Sequence, residues 1–234
     1  MIAEPLGPSD PLERSAGSQD LPAAVLWDMD GTLVDTEPYW IECEYEIVES
    51  FGGTWSDEHA HALVGNELLV SAAYLQEVGG VPLPPEEIVE LLLDGVIERV
   101  RRHVPWRPGV ESLLDRLNAA SVPCALVTMS YRRLAQAVVE LLPTGRFAAV
   151  VTGDEVDNGK PHPEPYLTAA ALLGAEPAQC VAIEDSPTGV ASAEAAGVPV
   201  LAVRNMVAIP PAPGRTLIDD LRGLTPYDLL RLTR

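Results

Sequence analysis

Lysine is all but missing from this chain. Lys160 is the only one in 234 residues, while arginine occurs fourteen times. The one lysine kept, between Gly159 and Pro161 in NGKPHPEPY, calls for a job that arginine cannot do, since an ammonium is a compact point charge and a guanidinium a wide planar fork. Cations of either kind are absent between Arg14 and Arg99. Overall, 15 Lys and Arg face 35 Asp and Glu, for a formal charge of −20. Such a balance argues against a nucleic-acid partner and against an anionic membrane surface. No apolar run approaches the ~18 residues that span a bilayer. Cysteine is scarce too: Cys43, Cys124 and Cys180 lie far apart without CxxC spacing, which reads as buried free thiols in a reducing cytoplasm. The first twenty residues lack a basic stretch leading into an apolar one, so no secretion signal is expected. Their Pro, Gly, Ser and charge content predicts a poorly ordered leader over residues 1–20.

What is present is an alternation. Ala23–Trp27, Cys124–Val127, Ala148–Val151, Cys180–Ile183 and Pro199–Val203 are short continuous apolar runs, suited to strands buried on both faces. Helical patterns separate the later ones. Val110, Leu113, Leu114 and Leu117 fall at i, i+3, i+4, i+7 and put one apolar face on a helix. Ser130 is a candidate N-cap for a helix carrying Leu134, Val138 and Leu142. Ser186 before Pro187 is another, with Gly197 closing that helix. Strand–helix alternation predicts an α/β fold with a parallel-sheet, Rossmann-like core. Residues 39–105 break the rhythm. They read as helices without strands, over Trp40–Phe51, Asp57–Leu63, Leu68–Val78 and Pro85–Val104, with Pro38, Pro105 and Pro108 at the crossings. The expected division is therefore a core of residues 21–38 and 106–234 with an inserted all-helical cap module, 39–105.

Chemistry-bearing residues gather at the strand ends. The first strand runs into Asp28-Met29-Asp30-Gly31, and ligands of open parallel sheets bind beyond the carboxyl ends of the strands. An acidic turn after a strand is common, and Asp-Gly alone signals only a turn. The other strand ends alter that reading. The second offers the hydroxyls of Thr128 and Ser130 at a helix start, an anion-binding arrangement. The loop after the third brings Lys160, and the fourth ends in Glu184-Asp185.

With these four motifs in this order, the sequence resembles the haloacid dehalogenase superfamily, in the branch of β-phosphoglucomutase-like phosphatases with a helical cap after the first strand. The resemblance runs from about Leu21 to the C-terminus. It implies a hydrolase of phosphate monoesters in which Asp28 attacks phosphorus and Asp30 is the acid/base. Thr128 and Lys160 would hold the transferring phosphoryl oxygens, with Ser130 beside them. It implies Mg²⁺ ligated by the Asp28 carboxylate, the Asp30 carbonyl and Asp185, with Glu184 close by or bound through water. Mg²⁺ prefers such oxygen ligands, and Mg²⁺ with Lys160 would balance the charges of Asp28, Glu184 and Asp185. Asp30 separates this chain from dehalogenases proper, which lack an aspartate there. A cap without lysine separates it from phosphonate-cleaving relatives.

The cap carries the remaining distinction. Residues 39–105 hold thirteen acids against three arginines, all near their end. A β-phosphoglucomutase must grip a second phosphate from its cap, yet Val64 and Leu68 stand where its basic residues would fall and Trp40 replaces its histidine. Phosphatase action on a small sugar or polyol phosphate is the favoured reading, with a sugar phosphomutase as the alternative. A non-catalytic binding protein on the same fold is a further one, but it would be expected to have lost a core residue, and none is lost. Asn66 and Glu67 are candidates to meet the substrate's hydroxyl or amino groups. His59 and His61 read as surface or packing residues on a cap helix. A monomer or weak dimer is expected.

Overall fold

The computed structural model describes residues 21–64 and 66–233; the predicted leader, 1–20, lies outside the described residues. Six strands form one sheet: β1 (Ala24–Trp27), β2 (Cys124–Val127), β3 (Ala149–Val151), β4 (Cys180–Glu184), β5 (Val200–Val203) and β6 (Arg215–Ile218). Their order is β3-β2-β1-β4-β5-β6, and every neighbouring pair is parallel. β1 is therefore central, flanked by β2 and β4, and its carboxyl end opens between theirs.

Burial follows the strand period of two. Val25 and Trp27 of β1 join Leu126, Ile183 and Leu201 on one face, and Ala24 and Leu26 join Ala125, Ala182 and Val200 on the other. The first face is covered by α5 (Val110–Ala119), α6 (Arg132–Val139) and α9 (Pro226–Thr233), through Leu113, Leu134 and Leu229 among others. The second takes α7 (Glu164–Leu172) and α8 (Pro187–Ala195), which pack Tyr166, Ala169, Val190 and Ala193 against it. Strands buried on both faces cannot alternate polar and apolar residues, which is why they read as continuous apolar runs. β6 escapes that signal. As an edge strand it is only half-buried and carries Arg215 and Thr216.

Between β1 and α5 come four helices with no strand: α1 (Glu37–Ser50), α2 (Asp57–Leu63), α3 (Leu68–Glu77) and α4 (Pro85–Arg102). α4 is the spine of this segment, packing on α1 and α3 and also reaching α6 of the core. Seven of its residues, Ile88 through Val100, are buried on one stripe, as an amphipathic helix requires. The chain leaves and re-enters the core side by side. Val34 and Trp106 bridge antiparallel, Asp35 N–H donates to Pro105 O at 2.9 Å, and Arg107 N–H to Leu33 O at 3.0 Å.

Local expectations are met in part. Val110, Leu113, Leu114 and Leu117 are all buried along α5. Ser186 caps α8, accepting from Gly189 N–H at 3.0 Å, with Pro187 in the first turn. Ser130 is not the cap of α6. That helix starts one residue later, after Tyr131, without a side-chain cap, because the Ser130 hydroxyl is drawn to a carboxylate instead. α6 also ends at Val139, so Leu142 packs from the following turn. The three cysteines are free and buried. Among the described residues no helix is long and apolar enough to cross a membrane.

Candidate active site

The turn after β1 is shaped by glycine. Gly31 has φ +88°, and its N–H donates to Val34 O at 2.7 Å. The left-handed conformation suits a residue without Cβ, and space demands it as well, since a Cβ there would come within 2.0 Å of Asp185 Oδ2. The tight turn sets Asp28 and Asp30 at the carboxyl edge in different company.

Asp28, 7% exposed, accepts from Lys160 Nζ at 2.7 Å through Oδ1. Lys160 is itself sunk in the site. Its other protons go to Glu184 Oε1 at 2.6 Å and to the Val127 carbonyl at 2.9 Å, and the Tyr166 ring lies 5.2 Å from Nζ. An ammonium has three protons, and all three have protein acceptors. Burial pulls the Lys160 ammonium down, but the charges of Asp28 and Glu184 outweigh it and the net shift is upward. Asp28 is held well above the usual carboxylate range, by burial first and then by Glu184, with Lys160 pulling against both. Asp185 is pushed up to about 6, again by burial and then Glu184, against hydrogen bonds from Asn205 and Thr32. Three carboxylates share one ammonium here, so the cluster is short of positive charge.

Asp28, Glu184 and Asp185 each offer an oxygen within 4.8 Å of the others. They are not equally available. Glu184 is fully buried; Oε1 accepts from Lys160 and from Tyr166 OH at 2.7 Å, and Oε2 from Asp185 N–H, Ser186 N–H and the Ser186 hydroxyl. Asp28 Oδ2, by contrast, is buried without a hydrogen-bond partner among the described residues. A buried carboxylate oxygen left bare is costly, and a hard cation bound by oxygen would satisfy it. The residues present therefore fit a divalent metal at Asp28 and Asp185, with Glu184 behind them anchoring Lys160.

Asp30 faces three hydroxyls. Thr36 Oγ1 donates at 2.6 Å, Ser130 Oγ at 2.7 Å and Thr128 Oγ1 at 3.2 Å, while Thr128 accepts from Ser130 N–H at 3.0 Å. Thus the structure brings Asp28, Asp30, Thr128, Ser130, Lys160, Glu184 and Asp185 together. The cap candidates stand apart from these bonds. Asn66 is exposed and turns its amide to Ala62 O, at 3.1 Å, at the end of α2. Glu67 is exposed at the start of α3, and the Tyr131 hydroxyl at the head of α6 is raised by burial first, then by the charges of Asp154, Glu67 and Glu90. His59 stacks on Trp55 and meets the Tyr74 hydroxyl, and His61 bonds the Asp57 carbonyl.

Residues that the motifs did not mark also shape the site: Thr32, Thr36, Tyr166 and Asn205. Tyr166 follows Lys160 by six positions in the same proline-punctuated stretch, which is the one signal available for it. Glu37, opening α1, is pushed up to about 7 by burial, then by Asp30 and Asp35.

A parallel sheet whose central strand ends in paired aspartates, bridged by a buried lysine to acids of the next strand, defines a Rossmann-like hydrolase. Comparison with known proteins gives the family. Residues 25–203 match the family described as Haloacid dehalogenase-like hydrolase, and the chain belongs to it, within the β-phosphoglucomutase-like phosphatase branch. It is 31% identical over 185 residues to a phosphorylated carbohydrates phosphatase of Thermotoga maritima, covering 75% of this chain and 82% of that one. It is 32% identical over 185 residues to hexitol phosphatase A of Escherichia coli K12, covering 76% and 81%. In structure it is similar to CbbY of Rhodobacter sphaeroides in complex with phosphate, with a TM-score of 0.78, 25% identity and coverage of 89% and 100%.

Proposed function

We propose that this phosphatase is a Mg²⁺-dependent phosphomonoester hydrolase acting on a small sugar or polyol phosphate through an aspartyl-phosphate on Asp28. The carrying observation is the state of the Asp28 carboxylate, with one oxygen on Lys160 and the other buried and, among the described residues, unpartnered. Asp28, Asp185 and the Asp30 carbonyl would hold the metal, and Glu184 stands behind Lys160. When bound, Mg²⁺ supplies positive charge against the acids and the phosphoryl oxygens. The relatives named for hexitol and for phosphorylated carbohydrates support the substrate class.

Asp28 attacks phosphorus and forms the P–O bond as the ester oxygen leaves, taking a proton from Asp30. The now anionic Asp30 then removes a proton from water, which attacks the aspartyl-phosphate and releases phosphate and free Asp28. The hydroxyls of Thr36, Thr128 and Ser130 hold Asp30 in place for both transfers. Lys160 steadies the charge on the Asp28 carboxylate and on the transferring group. Residues 39–105 form the cap that reads the leaving alcohol, with Asn66 and Glu67 on its facing loop, over a core of 21–38 and 106–234. The buried free thiols suit a cytoplasmic protein, monomeric or weakly dimeric.

A mutase is the second reading. It would need cationic anchors for a second phosphate, and Val64 and Leu68 flank the cap loop instead. The test is phosphate release from a panel of sugar and polyol phosphates with Mg²⁺, for the wild type, Asp28→Asn and Asp30→Asn. Both variants are expected to lose turnover, with Asp30→Asn keeping metal binding. A wild-type rate for Asp28→Asn removes it as nucleophile. Glucose 6-phosphate formed from β-glucose 1-phosphate and a trace of the 1,6-bisphosphate faster than free phosphate overturns hydrolysis in favour of the mutase.

A further inference from the structure

We propose that Asn205 is a positioning residue for the Asp185 carboxylate, and through it for the metal, with Arg107 fixing the peptide that carries it. The inference rests on the metal reading above. Asn205 lies two residues beyond β5, in a loop that no sequence pattern marks. Its Nδ2 donates to Asp185 Oδ2 at 2.7 Å, while Thr32 Oγ1 donates to Oδ1 of the same carboxylate at 3.2 Å. Each oxygen of an ionised carboxylate can accept more than one partner. One donor on each oxygen therefore fixes the carboxylate plane and leaves capacity on both for a cation. Glu184, one residue earlier, has five donors on its two oxygens and serves the lysine instead.

Packing makes the contact specific. A Cβ on Gly31 would come within 2.5 Å of Asn205 Nδ2 as well as 2.0 Å of Asp185 Oδ2. The turn of the first acidic motif, the acid after β4 and the loop after β5 thus meet at one point, and the bare Gly31 leaves room for the amide. The peptide before Asn205 is pinned on two sides. Arg204 N–H donates to Ile218 O of β6 at 2.9 Å, and Arg107 Nη2 donates to Arg204 O at 3.0 Å. Arg107 belongs to the chain returning from the four-helix segment, next to Trp106, whose backbone bridges Val34. The amide that orients the metal ligand is therefore braced by the exit of the cap. Groups that orient a metal's ligands matter to affinity almost as much as the ligands do, typically by about 10–100-fold.

The experiment is Mn²⁺ binding by the full chain without substrate, followed through the electron paramagnetic resonance of the free ion. Wild type, Asn205→Ala, Asn205→Leu and Asp185→Asn are compared. Both Asn205 variants lack the donor and differ in volume, so a folding failure in one leaves the other to be read. Expected is Mn²⁺ affinity lower by roughly tenfold or more for each, an unchanged melting temperature in metal-free buffer, and a kcat that recovers at saturating Mg²⁺. Arg107→Ala should shift affinity in the same direction by less. Affinity equal to wild type in a folded Asn205 variant overturns the proposal. Should the wild type bind no Mn²⁺, or Asp185→Asn bind it as tightly, the metal reading fails and this inference falls with it. That outcome is distinct from the first.

Discussion

Lys160 is a residue whose identity follows from its surroundings. Its ammonium sits between Asp28, Glu184 and the Val127 carbonyl at 2.6–2.9 Å, above an aromatic ring, with its side chain 5% exposed. A guanidinium spreads its donors across a plane and would push Asp28 and Glu184 apart, whereas an ammonium lets three acceptors converge on one atom. Lys160→Arg is expected to keep the fold and to lower kcat by at least ~10²-fold, the scale of removing one preorganised donor. Steady-state rates beside a circular dichroism spectrum check this, and near-normal turnover would make the lone lysine a compositional remnant. Composition alone pointed to Lys160. It was silent on Tyr166, because the partner that matters to a tyrosine hydroxyl, Glu184, is 18 positions away and meets it only once α7 packs across β1, β2 and β3 beside β4.

At the scale of elements, α1 carries two carboxyls into the protein seven positions apart. Glu44 is 5% exposed and accepts from Trp55 Nε1 at 3.2 Å. Burial pushes it up to about 7, the Trp55 hydrogen bond opposes, and the charge of Glu37 adds to the rise. A carboxyl whose folded pKa is raised favours the fold while protonated. That contribution is complete below the unfolded value, 4.5, and is lost as pH climbs through about 7. Glu44→Gln keeps an acceptor for Trp55 without ionising. Its melting temperature relative to wild type should therefore increase between pH 5.5 and 8.5, and a pH-independent difference would refute the assignment. α8 gives a sharper case. A Cβ on Gly189 would lie 1.8 Å from Glu184 Oε1, a group pinned by hydrogen bonds on both oxygens. Gly189→Ala is expected to cost about 1–3 kcal/mol or more by overpacking, seen as a lowered denaturation midpoint, and to lower activity by displacing Lys160. Element boundaries were legible where local signals were strong. α2 runs over Asp57–Leu63 as its pattern indicated, with Ser56 accepting from His59 N–H. Ser130 misled because a serine before a helix satisfies the capping rule locally, while a long-range acceptor, Asp30, is the stronger partner. β6 and Asn205 gave no signal at all; one is a half-buried edge and the other a loop residue whose role exists only after β4 and β5 pair.

The whole molecule is strongly anionic, at −20, yet the proposed substrate is an anion. On the proposed reading, attraction comes from Lys160 and the bound metal at the site, while the net charge around the protein repels. Screening shortens that long-range field to about 10 Å at 0.1 M salt and leaves contact interactions nearly intact. Raising NaCl from low ionic strength to 0.1 M at saturating Mg²⁺ should accordingly increase kcat/KM for a phosphate monoester, by roughly two- to threefold, with kcat little changed. A steady fall in kcat/KM would mean that the local cations dominate encounter. The sheet itself was readable from sequence because parallel strands buried twice are runs of apolar residues, and the site because a parallel sheet delivers every strand end to one edge. Substrate choice was not, since on the proposed reading it belongs to side chains of the inserted helices, which no strand end positions.

The adjoining passage of the chain at Val34 and Trp106 has a consequence for how such proteins diversify. Because departure and return are paired backbone to backbone at one place, the intervening helices meet the rest of the chain chiefly there and where α4 packs on α6. If those helices tell substrates apart as proposed, recombination at two neighbouring points that kept the α4–α6 contact would hand a new appetite to an inherited reaction centre, and a lineage could explore metabolites while its chemistry stays fixed.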